Sequence, residues 1–578
     1  MAPPERSEAG RTAVLATIPS DSHTWNLVFL QLVLEECGYT VRNLGACTSV
    51  STTLRACAEA EVDLLVVSSV NGHGRREGAA LVSALRADPE LATLPAVIGG
   101  LPTTFGDDAR AAAELLGTGY DRVFLGDSAE SDLRSYLAQS IAPGRRAHRR
   151  PPLPAPVGLG EFVATRAALG ELLVQPRMGF GSTTAMRAGL AAVHSARATT
   201  VGTLTLDSYT RVGDETGASQ ALHSGADLNG YPLLAHGRRS TRAVLEGIAG
   251  PDFPVQVRHG SALPSRIVAG ALESGLSATE GGPVSYCLPY SRVPLSVAVK
   301  DWEESCRLLA ATPGSHLESF GGCMMGQLCP PSLLVALSLL ECLFFRRHGM
   351  RSVSLSYAQQ TNHRQDREAL AALRSLAAEF LGDIDWHIVV YTYMGVFPKS
   401  PEGAQALLLE SARLAVESGS ERLIVKTVAE AQRIPTVEEN VAALESSSAA
   451  SVLFRSDPWG VRDPIGDTGI MAEARALVAR VLDISDDLGE ALVIAFRRGF
   501  LDVPYCLHPD NRNRARTTVL PDGTLRWASV GAMPLPTDAG PAEGSAHGAS
   551  SGSAELLRML GWVRRQYDAP AVDRALVS

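Results

Sequence analysis

The stretch Ala13-Val14-Leu15-Ala16-Thr17-Ile18, followed by Ser20-Asp21-Ser22-His23-Thr24-Trp25-Asn26, decides the reading of the first part of the chain. A short apolar run of this kind suits a strand buried on both faces of a parallel sheet. A long apolar helix pattern begins at Leu27. Asp21 and His23 therefore fall on the loop at the C-terminal end of a first strand, where open α/β sheets bind ligands. A His with an acid two residues away also has the makings of a metal ligand whose tautomer is held by a carboxylate. Taken alone, the pair is better read as a solvated loop His beside a helix-capping Asp, and it is the rest of the domain that reverses this.

Working outward, residues 12–140 alternate strand and helix patterns. Strands are expected at Ala13–Ile18, Thr40–Leu44, Asp63–Ser68, Ala96–Gly99 and Arg122–Leu125. Helices are expected at Leu27–Cys37, Ser51–Ala60, Gly78–Ala87, Asp107–Leu116 and Ser131–Ser140. Five such units predict a doubly wound parallel sheet, Rossmann-like or flavodoxin-like. Residues 141–157 are rich in Pro and Arg and read as an extended linker. Residues 158–535 alternate strands and helices again, with strands for example at Thr200–Leu206, Pro254–Arg258, Ser352–Ser356, Asp385–Tyr391 and Arg422–Lys426. That length and alternation predict a (β/α)8 TIM barrel with extra terminal segments. Asp207, Arg211, Arg258, His259 and Lys426 follow these strands, on the barrel face that carries active sites. Residues 536–553 read as a flexible linker, and 554–578 as a C-terminal helix and tail with Leu556, Leu557, Leu560 and Val563 on one face.

Composition bounds the function. The chain has 578 residues, too many for one core. Its formal net charge of −10 argues against a nucleic-acid surface as the main function. The nine cysteines are scattered, with no Cys-x-x-Cys pair, which suits reduced cytosolic thiols and neither a disulfide framework nor a zinc site. The N-terminal residues lack an apolar signal core, and the longest apolar run, Leu333–Phe345, is interrupted by Glu341. A cytoplasmic protein with no membrane role is expected.

Three segments of the first domain resemble the small, cobalamin-binding subunit of glutamate mutase (methylaspartate mutase). Asp21-Ser22-His23-Thr24-Trp25-Asn26 resembles its Asp-x-His-x-x-Gly signature, Ser68-Ser69-Val70 its Ser-x-Leu segment, and Gly99-Gly100 its small-residue turn. The resemblance implies that His23 ligates cobalt, that Asp21 holds His23, that Ser68, Gly99 and Gly100 meet the cofactor's nucleotide tail, and that Ser22 and Val70 are further cofactor-binding residues. Asn26 stands where the family has Gly, and Val70 where it has Leu. Asn tolerates a left-handed backbone, so the turn can survive.

The second domain resembles the catalytic subunit of the same enzyme, so the chain reads as a natural fusion. Gln175-Pro176-Arg177, Leu206-Asp207-Ser208-Tyr209-Thr210-Arg211 and Val257-Arg258-His259-Gly260 are similar to its arginine-clamp segments. By that resemblance Arg177, Arg211, Arg258 and His259 grip the two carboxylates of an amino-acid substrate. Guanidinium forks suit that task because they bind carboxylates bidentately. Glu280-Gly281-Gly282-Pro283-Val284-Ser285-Tyr286 and Tyr290 resemble a further substrate segment, implying that Glu280 meets the ammonium and Tyr286 and Tyr290 the carboxylates. Lys426-Thr427-Val428-Ala429-Glu430 resembles the segment beside the adenosyl group, with Lys426 and Glu430 expected on one side of a helix turn. Thr205, Asn229, Pro289, Phe320 and Met394 are implied cofactor neighbours. Pro283, Cys323-Met324-Met325 and Tyr391-Thr392-Tyr393 depart from the family pattern.

The resemblance implies an adenosylcobalamin-dependent isomerase interconverting L-glutamate and threo-3-methylaspartate by radical fragmentation and recombination, working as a homodimer. The cofactor carries the difficult chemistry, and the protein supplies orientation and a water-excluding chamber. Alternatives are a related mutase acting on another amino acid in secondary metabolism, a non-catalytic cobalamin-binding protein, and a corrinoid methyl-transfer protein. The last two would not need the carboxylate clamp.

Overall fold

The computed structural model describes residues 11–23, 25–59, 62–71, 73–89, 91–100, 108–126, 128–139, 158–225, 228–455, 466–535 and 553–577. The chain divides into two compact units, Met1–Leu153 and Pro154–Ser578. The linker expected at 141–157 and nearly all of the tract at 536–553 lie outside the described residues, as do Thr24 and Gly72.

In the first unit five parallel strands form one sheet: β1 (Arg11–Thr17), β2 (Tyr39–Asn43), β3 (Leu64–Ser69), β4 (Ala96–Gly100) and β5 (Arg122–Phe124), in the order β2-β1-β3-β4-β5. This is the flavodoxin-like winding, and β1 and β3 flank its switch point. All six residues of β3 are buried, because helices cover both faces: Leu65 and Val67 pack in one cluster, Leu64 and Val66 in the other. The register sets Thr17 beside Ser68, and Ser68 and Ser69 beside Gly99 and Gly100. The C-terminal ends of β1, β3 and β4 therefore open onto one edge.

The second unit is a parallel barrel of eight strands: β6 (Leu173–Pro176), β7 (Gly202–Thr205), β8 (Val255–Arg258), β9 (Ala278–Gly281), β10 (His316–Ser319), β11 (Ser352–Ala358), β12 (Asp385–Tyr391) and β13 (Arg422–Val425). Hydrogen bonding runs from β6 through β13 and on round to β7, and a parallel bridge between Val174 and Thr200 joins the two ends. Three further strands, β6, β9 and β10, are poorly marked in the sequence. They read Leu-Val-Gln-Pro, Ala-Thr-Glu-Gly and His-Leu-Glu-Ser, with no apolar run to mark them. Their polar side chains fill the barrel interior. Arg422 donates there to Glu318, Gln175 and Gln256, and Gln175 donates to Thr203 and Gln256.

Outside the barrel, the apolar stretch around Leu333–Phe345 becomes the helix Pro331–Arg347, buried at every residue from Pro331 to Phe345. It lies against the barrel wall on one side and the helix Ile470–Leu482 on the other, which explains its lack of a polar face. Among the described residues no helix is long and apolar enough to cross a membrane. The C-terminal segment differs from expectation. It forms two helices, Ser553–Leu560 and Trp562–Val577, broken at Gly561. Met559 and Val563 are its buried anchors, while Leu557 faces solvent at 67% exposure.

Candidate functional site

In the first unit the candidate site grows from one carboxylate. Asp21 is fully buried, and its Oδ1 accepts the His23 backbone N–H at 3.1 Å and the Nδ1–H of the His23 ring at 2.7 Å. Its Oδ2 accepts the Val70 N–H at 2.6 Å, so Val70 contributes its backbone to this site. Three donors on one buried carboxylate fix the loop and the tautomer. Nε2 is left as the free lone pair on a side chain 58% exposed. Ser22 is exposed beside it.

Behind this loop lies a cradle. Ser68 is buried and accepts a hydrogen bond from Asn26 Nδ2, while Asn26 Oδ1 and Ser69 Oγ are buried without a partner. Gly100 has a φ of +118°, and a Cβ there would lie 2.2 Å from the Ser69 carbonyl oxygen. Only glycine fits, so bare backbone faces this edge. An aligned imidazole with a free ring nitrogen, and a buried Ser68 hydroxyl at the end of the neighbouring strand, are groups that a cobalt ligand with a long polar tail would use. The residues fit a cobalamin.

In the barrel unit the candidate site starts at Arg258, the last residue of β8. Its Nη2 meets Glu280 Oε1 at 3.1 Å, with both groups almost wholly buried. Glu280 also accepts the hydroxyls of Tyr286 and Tyr391, and Tyr391 bridges on to Glu318. Burial holds the Glu280 carboxyl above its usual range, against the pull of Arg258 and with the push of Glu318. Phe320 lies under this cluster, packed on Tyr286 and edge-on to Tyr391. The Gly282–Ser285 turn that follows Glu280 is held by Glu341. That carboxylate accepts Val284 N–H at 3.2 Å, Ser285 N–H at 2.8 Å and the Ser285 and Ser319 hydroxyls at 3.0 and 2.9 Å. Burial pushes Glu341 up to about 7 despite those donors.

Around this pair the mouth of the barrel holds unused donors. Arg258 Nη1, Arg211 Nε and His259 Nε2 are buried and without partners, as is Thr205 Oγ1. His259 Nδ1 accepts the Ser261 N–H, so Nε2 carries the proton. Burial, reinforced by the Arg211 charge, drops His259 to about 3, so it is a neutral donor. Arg211 is delivered by a short helix, Ser208–Arg211. The buried Asp207 caps that helix through Tyr209 N–H and Thr210 N–H. Asp207 therefore positions this loop, and Asn229 staples the same turn through Ser208. Tyr290 packs edge-on against Tyr286 within reach of the Arg177, Glu280 and Arg211 charges. Pro289 is half-buried on the same loop, and Met394 lies after β12 against Gly326.

A second ionic group completes the mouth. Lys426 Nζ meets Glu430 Oε1 at 2.9 Å, and Arg177 Nη1 faces the same oxygen at 3.8 Å. The segment between Lys426 and Glu430 is a run of turns, not the helix turn the spacing suggested. Burial drops Lys426 to about 8, aided by Arg177 and opposed by Glu430. Glu430 is held below its usual range, because Lys426 and Arg177 outweigh its burial. The sequence reading does not single out Glu318, and it meets Tyr391 only as a departure from the family pattern, Glu341 only as a break in an apolar run and Arg422 only as the start of a strand. A lone charged residue in a strand carries no sign of its partner.

Comparison with known proteins bears on both units. Residues 153–545 match the family described as methylaspartate mutase E chain, and residues 11–130 match the B12 binding domain. The chain is 31% identical to the glutamate mutase epsilon subunit of Yersinia enterocolitica over 354 residues, 58% of this chain and 72% of that protein. It is 30% identical to the one from Escherichia coli O157:H7, over 58% of this chain and 72% of the other. With the one from Haloarcula marismortui it shares 32% identity, over 58% of this chain and 70% of that protein.

Proposed function

The chain belongs to the methylaspartate mutase E chain family and carries a B12 binding domain ahead of it, and from this premise we propose that it interconverts L-glutamate and threo-3-methylaspartate using adenosylcobalamin. The observation that supports the substrate class best is the set of three buried, unpartnered donors at the barrel mouth: Arg258 Nη1, Arg211 Nε and His259 Nε2. Buried N–H groups left unpaired cost about 1–3 kcal/mol each. A dicarboxylate supplies the acceptors that remove that cost.

His23, held by Asp21, would ligate cobalt, and Ser68, Gly99 and Gly100 would receive the tail. When bound, adenosylcobalamin would supply the radical chemistry. The rest falls to the chain. Arg258 is neutralised by Glu280 before substrate arrives. An incoming carboxylate takes the free Nη1 edge of Arg258 and the Nε2–H of His259, and the second carboxylate takes Arg211 and Arg177. The substrate ammonium gives Glu280 a new cation, which favours its ionised form. Tyr286 and Tyr391 keep Glu280 aimed while that exchange occurs. The buried Lys426 pairs with the half-buried Glu430 at the rim and helps exclude water from that side.

One observation favours a second reading, a mutase for a different amino acid. The Tyr391 phenol donates to Glu280 Oε2 at 2.7 Å, so the carboxylate that would meet a substrate ammonium already holds a phenol. Both readings meet in one assay: the protein with adenosylcobalamin is given L-glutamate and, separately, other dicarboxylic amino acids. Formation of 3-methylaspartate with a cobalt-coupled radical signal supports the first reading. Turnover of another substrate alone supports the second, and neither signal with cofactor bound overturns both.

A further inference from the structure

The helix Trp562–Val577 lies beyond the family match, which ends at residue 545. It is built into the barrel rim. Val563, 1% exposed, packs with Tyr393, Phe397, Ala404, Leu407 and Leu408, and Val428, Trp562 and Tyr567 flank the cluster. Asp568 accepts the N–H groups of Lys399 and Ser400 at 3.1 and 3.0 Å and the Ser400 hydroxyl at 2.6 Å. The same Ser400 caps the helix Pro401–Glu417. Gly403 completes the fit, since a Cβ there would lie 2.7 Å from the Tyr567 carbonyl oxygen.

Two of these contacts lead to the active rim. Phe397, packed with Val563, carries the Lys426 ammonium over its ring at 5.1 Å. Val428, two residues after Lys426, touches the same apolar cluster. We propose that the C-terminal helix is a positioning element for Lys426: it clamps the loop after β12 so that the Phe397 ring forms a dry floor beneath the ammonium. The functional meaning rests on the mutase reading, but the structural claim does not.

The groups facing Lys426 are Glu430, which favours its charge, and Arg177, which opposes it. Burial is the largest influence and lowers it. Loosening the floor admits water, and the Lys426 titration then moves up toward the ordinary lysine range.

The chain contains only three lysines, Lys300, Lys399 and Lys426, and the first two are exposed. The full chain labelled with 13Cε-lysine therefore gives three resonances, and Lys426→Arg assigns the buried one. In the parent that resonance is expected to titrate near 8. Val563→Asp places a charge in the apolar cluster and lifts the helix, read as faster tryptic cleavage after Arg564 and Arg565. The Lys426 midpoint is expected to rise by at least one pH unit while the other two stay in place. Asp568→Ala frees the Lys399 and Ser400 N–H groups without placing a charge in the apolar cluster, and gives a rise in the same direction. A lifted helix with an unmoved Lys426 midpoint overturns the proposal, and so does an unmoved midpoint in Asp568→Ala. Because the titration needs neither cofactor nor substrate, failure to turn over glutamate leaves this result intact.

Discussion

In the sheet unit a fully buried Asp21 holds an imidazole that is 58% exposed, whereas in the barrel unit Arg258 and Glu280 are 5% and 1% exposed and hold each other. The first arrangement fixes a direction and leaves the ligand atom outside. Its cost in desolvated charge is one carboxylate with three donors. The second keeps several charges out of water and depends on mutual pairing, since an unpaired buried charge is expensive. A large cofactor that brings its own contacts can dock on the first kind of site. A small anionic substrate must be met by the second kind, where low polarity strengthens each contact.

The largest effect should come from the buried pair. Arg258→Lys keeps the charge but loses the fork that reaches Glu280 while leaving Nη1 free. We expect kcat/KM to fall by about 30-fold to about 5,000-fold, given roughly 2–5 kcal/mol for truncating a buried charge pair. Arg258→Ala should also cost about 3–5 kcal/mol of stability, because Glu280 is then left beside Glu318 without its cation. Near-normal turnover in Arg258→Lys would mean that the clamp lies elsewhere.

His23→Ala tests the opposite site and should leave thermal stability almost unchanged, since the ring is exposed. Cobalt ligation by a protein nitrogen should vanish from the electron-spin spectrum, and cobalamin should bind about 10- to 100-fold more weakly. Asp21→Asn should match it in affinity and, unlike it, lose stability, because Val70 N–H and His23 N–H both depend on that carboxylate. Equal stability losses in the two variants would erase the contrast between the units.

These two sites were not equally legible in the sequence. Asp21 and His23 are two residues apart on a strand-end loop, so their pairing is local and readable. The arginines were found through motif resemblance, and their strand-end placement agrees with the barrel. Glu318 and Arg422 lie 104 residues apart and meet only because β10 and β13 belong to one barrel. Neither residue announces its partner, and the short polar strands that bear such groups defeat an apolar-run search. Glu341 was visible only as an interruption of an apolar helix, yet it anchors the loop that carries Tyr286. Lys426 and Glu430 were paired correctly by spacing, although turns and not a helix bring them together.

A milder, graded effect concerns pH. Lys426 is held at about 8 by burial, so it is charged below that value and neutral above it. Its pair with Glu430 is present in the acidic direction and lost as pH rises through 8. Turnover should therefore fall with an apparent midpoint near 8, approaching tenfold per unit beyond it where the charged form is essential. Lys426→Arg keeps the charge across that range and should remove the alkaline limb even if its maximal rate is lower. An alkaline limb unchanged in Lys426→Arg would assign it to another group.

The smallest expected effect lies in the sheet unit and sharpens how open its site is. Asn26 Nδ2 occupies Ser68, while Asn26 Oδ1 is buried without a partner. A tail that needs Ser68 must first break that hydrogen bond, worth about 1 kcal/mol. Asn26→Ala removes the competitor and keeps good helix propensity at the start of the helix Trp25–Glu36. Cobalamin affinity should rise about fivefold, from the same 1 kcal/mol, and Ser68→Ala in that background should cancel the gain. An unchanged affinity in Asn26→Ala would place the tail away from Ser68. A loss would mean that Asn26 itself greets the ligand, turning toward it the carbonyl oxygen that now lacks a donor.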